Sequence, residues 1–102
     1  MYEMKSGLKV NYPNLIKDSA KFVEDTLTLI KNMENDPEVI PDILSIIKAI
    51  TSVISAPNPG NIIPMIITVE TLVKAIGNDQ SIKSEVFVVV ADINAVKADL
   101  GL

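Results

Sequence analysis

The chain of 102 residues has no cysteine, no histidine and no tryptophan, and all nine of its positive side chains are lysines, with no arginine. Each absence removes a class of chemistry. Without cysteine there is no disulfide framework, no thiolate nucleophile and no cysteine-type zinc site. Without histidine the commonest general base and the commonest metal ligand are gone. Without arginine there is no planar fork for bidentate contact with phosphate or guanine. The net charge of −4 is also a poor match for a phosphate backbone, so no nucleic-acid partner is expected. Aromatic residues make up only 4% of the chain, which leaves aliphatic side chains to build the interior.

What is present is mostly apolar. Hydrophobic residues are 48% of the chain, charged residues 22%, and the mean hydropathy is +0.34, too apolar for a disordered segment. The length suits one domain. Residues 1–10 read as an N-terminal tail, flexible in expectation, and 11–102 as a single helical domain. The tail has no apolar h-region of a signal peptide, which points to the cytoplasm. Residues 49–69 carry no charge over a bilayer-spanning length, but Pro57-Asn58-Pro59-Gly60-Asn61 at their centre would leave backbone groups unsatisfied in lipid. Two helices joined by a turn fit better than a membrane hairpin.

Four amphipathic segments follow. The first runs from about Pro13 to Glu34, with Asn11 as a candidate cap. Ile16, Ala20, Val23, Leu27 and Ile30 recur at alternating spacings of four and three, a helix stripe widened by Leu15, Phe22, Leu29 and Met33. After a short turn at 37–40, the second helix spans Pro41 to about Ala56, with an apolar face of Ile43, Ile46, Ile47, Ile50, Val53 and Ile54. The third starts near Asn61 or Ile62, because Pro64 suits a first turn. It presents Ile62, Met65, Ile66, Val69, Leu72, Val73 and Ile76 and ends at Gly77, placed as a left-handed cap. The fourth runs from about Gln80 to Leu100, capped by Asp79 or Ser81, with a seam of Ile82, Val86, Val89, Ile93, Val96 and Leu100. A strand at 86–90 would suit the β-branched run, but no partner segment alternates with period two. Each helix places a lysine near its end (Lys31, Lys48, Lys74, Lys97), where it opposes the macrodipole. Short connections favour antiparallel neighbours, so the fold class is all-α, an up-down-up-down four-helix bundle.

No constellation of nucleophile and base can be assembled. The carboxylate pairs Glu24–Asp25 and Asp36–Glu38 have structural explanations on a polar face and at a helix start. The oxygen-rich run Asn32, Glu34, Asn35, Asp36, Glu38 lacks the spacing and glycine of a calcium loop. Residues 58–61 read as a turn and not as an anion site. No enzyme activity, cofactor or metal is expected. The informative residues are apolar ones outside the helical seams: Ile63 and Ile67 on the third helix, Phe87 and Val88 on the fourth. Surplus apolar surface of this kind marks an interface. The expected function is therefore protein–protein association, as a homo-oligomer or with a partner protein, through Ile63, Ile67, Phe87 and Val88. The alternatives are a carrier of an apolar ligand such as a fatty acid in the bundle interior, and a peripheral or hairpin membrane protein.

Overall fold

The computed structural model describes residues 10–33 and 40–102. The N-terminal tail 1–9, the turn at 37–40 apart from Ile40, the Asp36–Glu38 pair and most of the oxygen-rich run 32–38 lie outside the described residues. Four helices, α1 (Tyr12–Asn32), α2 (Ile40–Ser55), α3 (Pro59–Ile76) and α4 (Lys83–Asp99), form the bundle, with a single 3₁₀ turn at Gln80–Ile82 leading into α4. No strand occurs among the described residues, and the run 86–90 is helical.

The helices pack as two close pairs. α1 lies along α4 and α2 along α3, whereas α1 meets α2, and α3 meets α4, more lightly. The continuous core is aliphatic apart from Phe22, and includes Leu15, Leu29, Ile46, Ile62, Met65, Leu72, Val89 and Val96. The α3 face is the expected one, with Val73 half-buried and the other six residues buried. The α4 seam is also as expected, with Val86 its one half-buried member.

α1 is rotated relative to its apolar stripe. Its most buried line is Leu15-Ser19-Phe22-Thr26-Leu29-Met33, while Ile16 is 51% and Leu27 44% exposed. The buried line is the one that carries Phe22, the largest core side chain, together with two small residues, Ser19 and Thr26. α2 departs in a similar way: Ile46, Ile50 and Val53 are buried, but Ile47 and Ile54 face outward.

Helix ends follow capping chemistry. Asn11 Oδ1 accepts from the Asn14 N–H, and the Asn11 N–H donates to the Asp99 carbonyl at 2.8 Å, tying the start of α1 to the end of α4. α3 begins at Pro59, earlier than expected, because Asn58 caps it by accepting from the Asn61 N–H at 3.1 Å. Pro64 therefore lies inside the helix, where it has no N–H for the Gly60 carbonyl. The Asn61 amide donates back to the Ala56 and Ser52 carbonyls, which makes 56–61 a closed turn between α2 and α3. Asn58→Ala is expected to lower stability by about 1 kcal/mol. In thermal unfolding followed by circular dichroism this is a fall in Tm of about 4–8 °C.

Gly77 is right-handed (φ −59°), not left-handed as expected. The positive φ (78°) is at Gly101, where the Leu102 N–H bonds to the Lys97 carbonyl and the Gly101 N–H to the Ala98 carbonyl, a Schellman ending of α4. Asp79 starts the 3₁₀ turn by accepting from the Ser81 N–H and hydroxyl, which holds its carboxyl below the ordinary carboxylate value. Lys31, Lys74 and Lys97 occupy last turns, while Lys48 sits at mid-helix because α2 continues to Ser55.

Candidate functional site: the exposed apolar faces and the α1–α4 polar seam

Of the four residues singled out from sequence, Ile67, Phe87 and Val88 are exposed, at 57%, 64% and 42%. Ile63 is half-buried and packs against the core. The exposed three do not form one patch. Val88 borders a hollow between α1 and α4 that it shares with Asp25, Thr28, Ser84 and Glu85. Phe87 lies under the Lys83 ammonium, 5.8 Å from its ring centroid. The Lys97 Nζ–Glu70 Oε2 ion pair at 2.8 Å fixes the register of α3 on α4. In that antiparallel register Ile67 and Phe87 fall on opposite sides of the bridge, roughly 20 Å apart along the axis at 1.5 Å per residue.

A larger apolar surface lies where α1 and α2 meet lightly. Ile16, Ala20 and Leu27 are exposed on α1, spaced four and seven apart, and Leu44, Ile47 and Ile54 on α2, spaced three and seven apart, so each helix shows water an apolar stripe. Thr51 falls within the α2 stripe, and its hydroxyl donates back to the Ile47 carbonyl at 2.9 Å, so the side chain's own polar group is satisfied within the helix. Between the two helices is an open groove of about 290 Å³ lined by Ile16, Ser19, Ala20, Val23, Val53, Ile54 and Pro57. Its outer rim on α1 carries Lys17, Glu24 and Lys31, and Lys48 stands on α2. Sequence reasoning missed this surface because it placed Ile16, Ala20, Leu27, Ile47 and Ile54 on inward apolar faces and left Leu44 out. The signal was the number of aliphatic positions on α2, which exceeds what one face can hold.

The second feature is polar. Asp92 and Asp99 of α4 are buried. Asp92 lies beside Asp25, and Asp99 beside Asp18, across the two helices. Lys21 bridges the first pair, 2.6 Å from Asp25 Oδ2 and 3.1 Å from Asp92 Oδ1. Burial, and then the facing carboxyl, push both Asp92 and Asp99 up to about 6. Asp25 moves down because Asp92 and then Lys21 favour its charged form. Glu24, the other member of the expected pair with Asp25, points to solvent. The Asn32 amide donates to Glu85 at 3.1 Å. Among the described residues no group of three or more metal-ligating side chains converges.

One described helix, α3, is long and apolar enough to cross a membrane by length and composition, with a third of that window buried in the bundle. A core helix of a bundle passes the same test, and α3 also carries the Glu70 side of the ion pair to α4. Fold and surface together define a helical bundle with an exposed aliphatic face on one helix pair. No family model, curated protein or solved structure matches the chain.

Proposed function

We propose that the chain acts by protein–protein association, without catalysis, and that its first partner is a second copy of itself docked through the α1–α2 face. The observation that carries this reading is the pair of exposed aliphatic stripes, Ile16-Ala20-Leu27 and Leu44-Ile47-Ile54, flanking an apolar groove. An exposed apolar area of roughly several hundred Å² is the size that marks an interface. A two-fold interface places the same patch on both sides, so aliphatic meets aliphatic. The rim holds both charge signs, Lys17, Lys31 and Lys48 with Glu24, so two copies can pair lysine with carboxylate at its edge. Burial contributes about 25 cal/mol per Å² of apolar surface, before the cost of association.

Sedimentation velocity over a range of concentrations tests this. Wild type should show a dimer. Ile47→Glu with Ile54→Glu should sediment as a monomer with unchanged helical circular dichroism. A wild-type chain that stays monomeric throughout overturns the reading. If Phe87→Asp lowers the mass and the α2 double variant does not, the interface lies on α4 instead.

The groove also supports a second reading, that it takes an alkyl chain such as a fatty acid. In this reading the ligand lies in the open groove between α1 and α2. Native mass spectrometry of delipidated and untreated samples separates the two, because only a carrier retains added mass.

A further inference from the structure

The α1–α4 seam contains a regular set of polar rungs. Asp18, Asp25 and Asn32 are spaced seven apart on α1, and Glu85, Asp92 and Asp99 seven apart on α4. The antiparallel register places 18 opposite 99, 25 opposite 92 and 32 opposite 85. Two rungs are acid on acid, and the third is amide on acid. The Oδ2 atoms of Asp92 and Asp99 are buried and find no hydrogen-bond donor. Two ionised carboxylates in contact offer only acceptors. One proton on either converts the contact into a hydrogen bond, with the arrangement the Asn32–Glu85 rung already has through its amide.

We propose that the α1–α4 seam is a proton-operated clasp: one proton shared in each Asp–Asp rung is a structural part of the folded bundle, and its loss loosens the pairing of the first and last helices. The charged groups facing the rungs from α1 are Asp18, Lys21 and Asp25. On α4 itself Glu85 is held by Asn32. From α3, Glu70 is paired with Lys97 on the flank of α4. α2 packs on α3 and not on this seam. Lys21 compensates one negative charge of the 25/92 rung, which leaves the second carboxylate to be neutralised by a proton.

The sign of the pH dependence follows from linkage. Asp92 and Asp99 hold their protons more tightly folded than unfolded. Their contribution is complete below the ordinary carboxylate value and is lost as pH rises through about 6. Asp25, shifted down, acts oppositely at the acid end. Stability from these groups therefore peaks on the mildly acidic side and falls towards neutrality.

Thermal unfolding of the full chain at about pH 5 and about pH 8 reads this directly. Wild type should melt higher at the lower pH, by about 5–10 °C. Asp92→Asn with Asp99→Asn puts an amide donor in each rung, and should remove most of that difference by raising the Tm at the higher pH. Glu24→Gln, an exposed carboxyl on the same helix, should keep the wild-type difference. A flat wild-type profile, or a double variant that keeps the full difference, overturns the proposal. Carboxyl carbon NMR of the unmodified chain needs no variant to fold. Two aspartates titrating near 6 support the clasp, and titration of every aspartate below about 4.5 refutes it.

Discussion

Phe22→Ala is expected to lower the folding free energy by about 3–5 kcal/mol. Phe22 is fully buried and is the largest side chain in the core. Its removal loses the transfer of the ring from water and leaves a hollow in the α1 wall that the flanking helices close only in part. A domain of this size has a total stability of about 5–15 kcal/mol, so the variant should be partly unfolded or close to it at room temperature. Leu27→Ala on the same helix is the comparison. Leu27 is 44% exposed and should cost about 1 kcal/mol or less. Guanidinium unfolding of both variants gives the two numbers. Equal losses would mean that α1 turns its apolar stripe inward and that the rotation described above is wrong.

That comparison separates what could be read from the sequence and what could not. The inward faces of α3 and α4 are legible because each has one apolar seam at alternating spacing, ending in Ile76 on α3 and Leu100 on α4. α1 is harder because it has two candidate lines. The wholly apolar line 16-20-23-27-30 gives the cleaner pattern, but the interior takes the line through Leu15, Phe22 and Leu29, which is broken by Ser19 and Thr26. Hydrophobic periodicity weighs residues by polarity. Packing weighs them also by shape, and the small hydroxyl residues at 19 and 26 are buried beside Phe22 while larger aliphatic residues stay outside. Ser19 satisfies its hydroxyl locally on the Ile16 carbonyl at 3.1 Å, so its burial is not costly.

The candidate site was legible in kind and only partly in place. Surplus apolar residues were visible at Ile67, Phe87 and Val88, and these are exposed. The broader surplus on α1 and α2 was hidden because a single helix gives no information about which of two apolar stripes its partner will cover. Ile47 and Ile54 are as apolar as Ile46 and Ile50, and only the face that α2 buries in the bundle distinguishes them. The acid rungs were hidden for a related reason. Asp18, Asp25, Asp92 and Asp99 each read as solvated when taken alone. Their common spacing of seven on two antiparallel helices acquires meaning only when those helices are paired.

Thr26→Val should act in the opposite direction from Phe22→Ala and raise stability by about 1–2 kcal/mol. Thr26 is fully buried in the α1 line, and its Oγ1 has no hydrogen-bond partner. The hydroxyl has left water without replacement of the bond it gave up, a loss of about 1–3 kcal/mol in proteins. Valine has nearly the same shape, so it removes that penalty without opening a cavity or overfilling the core. Thr51→Val on α2 controls for any general effect of the exchange. Thr51 is exposed and its hydroxyl is satisfied by the Ile47 carbonyl, so its replacement should change stability within about 0.5 kcal/mol. Thr26→Ser should be destabilising, since it keeps the stranded hydroxyl and removes a packed methyl group. If Thr26→Val instead loses stability, the hydroxyl has a partner in solution, and the interior at Thr26 is more polar than the burial of Phe22 and Leu29 on the same helix implies.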